Sequence, residues 1–201
     1  MTSIPHPGEA GTVTGKRERI LRAAIDVFAR SGYASAKVAN IAKTAGVADG
    51  TIYLYFQGKE DLLITIFREQ SRGFLETLSH ELQGVEDPRE QLRIAIRVHL
   101  ESFARDRALA IVFQVELRHS RKFVSQLSHE EVAEYISVIR RILEDGQKRG
   151  AFRKDWHPQV VAKCVFGMLD EMVTSWILSE KGFELLEQVE PLTSFALRGI
   201  E

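Results

Sequence analysis

Apolar residues recur three and four positions apart along almost the whole chain, and that period leaves room for little except helices. Ile20, Leu21, Ala24, Val27 and Phe28 form one stripe that stops at Ser31-Gly32, and Val38, Ile41, Ala42 and Ala45 form a second that stops at Gly46. A third, short element covers Thr51 to Phe56, and a longer stripe runs from Lys59 to about Leu82 through Leu62, Leu63, Ile66, Phe67, Phe74 and Leu78. Asp87-Pro88 places a capping carboxylate before a proline in the first turn. This predicts a helix through Leu92, Ile96, Val98, Leu100 and Phe103. Further helices are expected from Asp106 to about Arg118, from about Lys122 to Arg149, from Pro158 to about Ser179, and from Phe183 to the end. Only Ala110 to Val115 is ambiguous with a strand, and no hairpin turn lies near it. The expected fold class is all-α, with about nine helices.

The 201 residues, 44% apolar and 27% charged, suffice for a self-sufficient core. The longest apolar run, Ala108 to Phe113, is far too short to span a bilayer. No basic segment precedes an apolar stretch at the N-terminus, so a secretory signal is not expected. Cys164 is the single cysteine, which excludes an intramolecular disulfide; it lies in the most apolar helix and reads as core. A reduced, cytoplasmic protein without a membrane partner is expected.

The net charge of −1 hides an asymmetry. Residues 1–60 carry eight Lys or Arg against five Asp or Glu, whereas residues 61–201 carry nineteen against twenty-three. A basic module on a mildly acidic body signals a polyanionic partner. The expected division is a disordered arm over residues 1–15, a basic domain over 16–60 and a larger domain over 61–201. The arm is expected from Pro5, Pro7, Gly8, Gly11 and Gly15.

Ala42, Gly46 and Ile52 have the spacing of a helix-turn-helix. Two helices cross closely at a small residue, and glycine supplies the positive φ of the tight turn. Val47 and Ile52 fill the core between the helices, leaving the outer face of the second free to enter a major groove. Asp49, Gly50 and Tyr53 lie where base edges are met. Thr51, Tyr55 and Lys59 offer donors to phosphates, and Lys37 and Lys43 flank the first helix. Lys59 also begins a helix whose amides favour anions. By chance alone, such spacing also arises in plain helical hairpins.

On KRERILRAAIDVFARSGY (16–33) and VANIAKTAGVADGTIYLYFQGKEDLL (38–63), the sequence resembles the TetR-type transcriptional regulators. The resemblance implies a three-helix DNA-binding head on an all-α body that dimerises and holds an inducer. By position it implies phosphate contacts at Thr51, Tyr53, Tyr55 and Lys59, with Lys37 and Asp49-Gly50 facing bases or the groove edge. Asp49 is an acid where anionic DNA is expected; it caps the recognition helix or accepts from a cytosine amino group.

In the larger domain, Ala108 to Leu117 is apolar apart from Gln114 and Glu116, with Arg105 and Arg107 before it and Arg118, His119, Arg121 and Lys122 after it. An apolar element bounded by guanidinium groups suits a ligand with a long apolar part and a polyanionic head. Helices also end in Arg for dipole reasons alone. Two stretches of this domain, LAIVFQVELRHS (109–120) and FGMLDEMVTSW (166–176), together with VADGTIYLYFQGKEDLL (47–63), resemble the fatty-acid-degradation regulators of the FadR type. That resemblance implies a long-chain acyl-CoA effector and no cofactor. Arg118, Arg121 and Arg105 are then candidates for the phosphates, and Phe103, Leu109, Phe113, Leu117, Met168, Met172 and Trp176 for the pocket wall. Each of these apolar residues is also ordinary core material.

The helix from Pro158 is apolar around most of its circumference and must be covered on both sides. With the final helix it predicts a two-fold homodimer, against the alternative of a monomer with central helices. Asp170 and Glu171, as sequence neighbours, do not share a helix face and are not read as a catalytic pair. The six histidines show no pair at three- or four-residue spacing, and no glycine-rich phosphate loop follows a strand. The expected function is therefore a dimeric repressor of fatty-acid-degradation genes, released from a palindromic DNA operator by long-chain acyl-CoA. The alternatives are a repressor sensing another hydrophobic molecule or drug, and a small α-helical enzyme.

Overall fold

A computed structural model describes residues 7–116, 128–180 and 182–201. These residues form nine α-helices, one π-helical turn and one 3-10 turn, and no strand occurs among the described residues. The helices are α1 (Pro7–Ser35), α2 (Val38–Ala45), α3 (Asp49–Ile52), α4 (Lys59–Leu82), α5 (Pro88–Ala104), α6 (Arg107–Ile111), α7 (Ser128–Arg149), α8 (Pro158–Leu178) and α9 (Val189–Ile200). The chain divides into two units, Met1–Arg68 and Glu69–Glu201.

In the first unit α1 packs against α2, and α2 against α3. Its core is Ile20, Ala24 and Phe28 from α1, Ile41 and Ala42 from α2, Ile52, and Leu62 and Leu63 from α4, all fully buried. The Ile, Leu and Phe side chains among these each gain roughly 1.5–3 kcal/mol from burial, enough to hold short helices that would not form alone. α1 breaks at Gly32 (φ 72°, ψ 151°), where the sequence places a stop. It reaches back to Pro7, so much of the segment expected as a disordered arm is helical. Pro7 is the first helical residue, where its missing N–H removes no intrahelical bond; the proline starts a helix there. The unit ends at Arg68, beyond the expected boundary at residue 60, because the first turns of α4 bury Leu62, Leu63, Ile66 and Phe67.

In the second unit α5 is central, packing against α7, α8 and α9, while α7 and α8 pack on each other. Leu92, Ala95, Ile96 and Leu100 of α5 are fully buried, as are Ile139 and Leu143 of α7 and Leu169 and Val173 of α8. The start of α5 is as expected: Asp87 accepts the N–H of Arg89 at 3.0 Å, with Pro88 first in the helix. Asp106 likewise accepts the N–H of Leu109 at 3.1 Å. The helix it opens does not continue regularly; α6 gives way to the π-helical turn Val112–Glu116. The last expected helix is also divided, into a 3-10 turn (Leu185–Gln188) and α9. Pro191 explains the division, since a residue without an N–H is tolerated only in a first turn. No helix among the described residues is long and apolar enough to cross a membrane.

α8 is not apolar-buried all round. Val160, Cys164, Gly167, Glu171, Ser175 and Leu178, three or four apart, form an exposed stripe along it. Cys164 is therefore outward-facing and not the core residue expected from its apolar neighbours.

Candidate nucleic-acid interface and candidate effector site

The turn between α2 and α3 is built as the spacing requires. Gly46 adopts the left-handed conformation (φ 67°, ψ 39°), and the N–H of Val47 returns to the carbonyl of Ala42 at 3.0 Å. Ala42 is fully buried at the crossing, where a larger side chain would separate the helices. α3 is shorter than expected, but hydrogen bonds from Tyr55 N–H (3.0 Å) and Phe56 N–H (2.9 Å) to Ile52 O carry the coil on to Phe56. Ile52 and Phe56 are anchored in the core, which fixes the outward residues between them.

Tyr53 is 60% exposed, Tyr55 and Thr51 are half-buried, and Asp49, Gly50, Lys37 and Lys43 are exposed. A Cβ at Gly50 would meet nothing within 4 Å, and its φ is not positive. The fold itself does not require glycine there, which agrees with close approach by an outside partner. Asp49 is the first residue of α3 and not its cap; Ala48 holds the capping position and makes no side-chain bond. Its carboxylate therefore meets the positive end of a short helix.

The Lys59 ammonium donates to the carbonyls of Tyr33 (2.9 Å), Ala34 (3.0 Å) and Ala36 (3.4 Å) and lies 4.7 Å from the Tyr33 ring centroid. An ammonium has three protons. All three are directed at the chain just after the α1 break, so Lys59 ties that segment to the start of α4. Leu54, in contrast, was not among the expected contacts. At 80% exposure it is the most exposed large apolar side chain among the described residues. An apolar group there suits a thymine methyl or a sugar face. The signal was available: Ile52 and Phe56 face inward, so Leu54 between them faces out.

In the second unit the sequence-expected wall residues gather as follows. Leu109 is buried; Phe103, Met168, Met172 and Trp176 are half-buried against the core, and Phe113 is half-buried with its ring 5.8 Å from that of Phe103. Arg105 is exposed and pairs with Glu101 at 3.3 Å. Leu117, Arg118 and Arg121 lie outside the described residues. Arg107 is engaged elsewhere, donating to the carbonyls of Trp176 (3.2 Å) and Ile177 (2.8 Å) and stacking 5.1 Å from the Trp176 ring. It closes the C-terminal turn of α8.

A polar set stands among these apolar walls. Gln114, only 5% exposed and midway along the π-helical turn, donates to Asp170 at 2.7 Å and accepts from Thr174 at 3.1 Å. Asp170 and Thr174 share a face of α8, and Glu171 is exposed on another, as their sequence adjacency requires. π-helical turns widen a helix by one residue and recur at functional sites. Here the turn carries an inward amide that meets a carboxylate. Thr174 and His99, which is 4% exposed, are not among the residues expected from the sequence, because nothing local distinguishes them from ordinary helix positions. No group of three or more His, Cys, Asp or Glu that could hold a metal ion occurs among the described residues.

A helix-turn-helix with outward tyrosines on one unit, and an all-helical core with an internal polar set on the other, define a one-component DNA-binding regulator. Residues 20–66 match bacterial regulatory proteins, tetR family, and residues 67–199 match YsiA-like protein, C-terminal region. The chain belongs to the TetR family of bacterial regulatory proteins. The fatty acid metabolism regulator protein of Bacillus subtilis is 35% identical over 92% of this chain and 95% of its own length. Among solved structures, the fatty acid degradation regulator FadR from Bacillus halodurans has 35% identity and a TM-score of 0.86, covering 98% of both chains. FadR from Bacillus subtilis in complex with stearoyl-CoA has 35% identity and a TM-score of 0.84, covering 92% of this chain and 99% of that one. These are transcriptional regulators, and the helical-enzyme alternative is set aside.

Proposed function

We propose that the protein is a cytoplasmic, homodimeric repressor of fatty-acid-degradation genes that leaves its operator when long-chain acyl-CoA binds its C-terminal unit. One observation carries this reading: the full-length likeness to the Bacillus subtilis regulator solved with stearoyl-CoA extends through the C-terminal unit, where inducers are distinguished. The half-buried apolar wall around Phe103, Phe113 and Met172 supports it, since it can take up a saturated chain.

On the DNA side, Lys37 and Lys43 meet phosphates as mobile charges, Thr51 and Tyr55 add hydroxyl donors, and Tyr53 and Leu54 reach base edges. Lys59 holds the presenting turn. The exposed stripe on α8 and Phe195 of α9, 73% exposed, are the proposed contact with a second copy. A two-fold dimer would set two reading elements about 34–36 Å apart, on successive major grooves of a palindrome. DNA and acyl-CoA then favour different conformers, and each weakens the other's binding. Arg105, with Arg118 and Arg121, is proposed for the CoA phosphates.

A gel shift on a palindromic operator tests the reading. Micromolar stearoyl-CoA is expected to release the protein, while CoA alone and octadecanoate leave the shift in place. Release by octadecanoate, or by an unrelated drug but not by stearoyl-CoA, would contradict it.

A further inference from the structure

Buried polar atoms without a partner are rare, and each calls for a reason. His99 carries one: its Nε2 meets no hydrogen-bond partner among the described residues. The imidazole is stacked on Tyr135 (centroids 5.6 Å apart, planes at 19°), with Phe103, Phe74 and Phe166 at 5.3, 6.2 and 6.3 Å. Burial holds its pKa down at about 3, so the ring is neutral at any physiological pH. The hydroxyl of Tyr135 is directed at the carbonyl of Ala95 (3.4 Å) and does not serve His99. For packing alone, a phenylalanine would fill this position without a polar atom to satisfy.

Tyr135 is as buried as the imidazole, but the three phenylalanine rings around it are less so. Phe74, Phe103 and Phe166 are half-buried, although all three pack against the core. Phe166 shares a face of α8 with Asp170 and Thr174, the residues that hold Gln114. The aromatic enclosure is thus continuous with the polar set, and its innermost member offers one unmet hydrogen-bonding atom.

We infer that His99 Nε2 donates a hydrogen bond to the acyl carbonyl oxygen of the effector, with the surrounding rings taking the adjoining methylenes. This rests on the acyl-CoA reading. A saturated chain presents aromatic walls with no polar atom of its own except that carbonyl. A neutral N–H can therefore set how deep the chain sits without placing a charge in the apolar interior.

The test compares stearoyl-CoA with S-octadecyl-CoA, a thioether of similar length without the carbonyl, by calorimetry on the full chain. The native protein is expected to bind the thioester about fivefold more tightly or better, the factor expected of one net hydrogen bond. His99→Phe, which keeps a ring in the stack, is expected to bind both equally and to keep its operator affinity. Equal binding of both by the native protein, or a preference that survives in His99→Phe, overturns the inference and leaves the acyl-CoA reading standing. Binding of neither, by protein that still holds operator DNA, overturns both. Should His99→Phe not fold, 15N-histidine NMR of the native protein decides. The Nε2 resonance of His99 should move to a hydrogen-bonded position with the thioester and not with the thioether; identical spectra overturn the inference.

Discussion

The two units handle polar and apolar groups in opposite ways. The first places apolar and aromatic side chains outward, with Tyr53 60% and Leu54 80% exposed between the buried anchors Ile52 and Phe56. The second draws polar groups inward, with His99 and Gln114 almost fully buried among apolar walls. Each arrangement runs against ordinary burial preference and is unfavourable in the free chain. Under the proposed function the difference has one meaning: the outward groups would serve a large polyanion and the inward groups a small-molecule effector. The same contrast separates the glycines. Gly46 is needed for a left-handed turn and Gly146 for close packing, but Gly50 is needed by neither the backbone nor the core.

The largest test of this contrast is the double substitution Tyr53→Ala, Leu54→Ala. Operator affinity should fall about a hundredfold, the sum of two base-edge contacts, while the melting temperature stays within a degree or two. Equal loss of stability would show that these residues belong to the core after all.

Gln114→Ala should do the reverse. It removes the partner shared by Asp170 and Thr174 and is expected to destabilise the protein by about 2–3 kcal/mol and to weaken stearoyl-CoA binding, with operator affinity kept at low temperature. Urea unfolding alongside fluorescence anisotropy separates the two effects.

Acid offers a third test. His99 is neutral when folded, with a pKa near 3, and takes up a proton near 6.5 when unfolded. The unfolded chain therefore binds more protons below that value, and stability falls as pH falls. About 2 kcal/mol should be lost between pH 7 and pH 5, and His99→Phe should show about that much less acid sensitivity. Gly146→Ala is expected to cost a comparable 1–3 kcal/mol, because an added Cβ would lie 2.0 Å from a ring carbon of buried Phe152. Gly50→Ala should have the smallest effect on folding, neutral or stabilising by up to about 1 kcal/mol, yet weaken operator binding. Were it to leave binding intact, close approach at Gly50 would be refuted.

Much of the head was legible in the chain because its determinants are local. Ala42, Gly46 and Ile52 lie within eleven residues of each other, and in the second unit Asp87-Pro88 is equally local, capping the helix it begins. What was not legible depends on distant partners. The hold of Lys59 on the chain after α1 is one such feature, because its three acceptors lie 23–26 residues away, across a helix break. Gln114 and Asp170 were both noticed, but nothing in a list of neighbours joins residues 56 apart. His99 sits at an ordinary helix position and differs only in the rings that three other helices bring to it. Cys164 was misplaced for the converse reason: apolar neighbours along α8 do not reveal which face lacks a covering helix.

The central claim is that one protein couples an outward DNA-reading surface to an effector site in its second unit, and reciprocal titration tests it most directly. The dissociation constant for stearoyl-CoA is measured with and without saturating operator, and that for operator with and without saturating stearoyl-CoA. The account predicts that both constants rise by the same factor, within about five- to 150-fold, because the coupling is a single free energy. If stearoyl-CoA binds equally well to free and operator-bound protein, the two sites are uncoupled and the account fails.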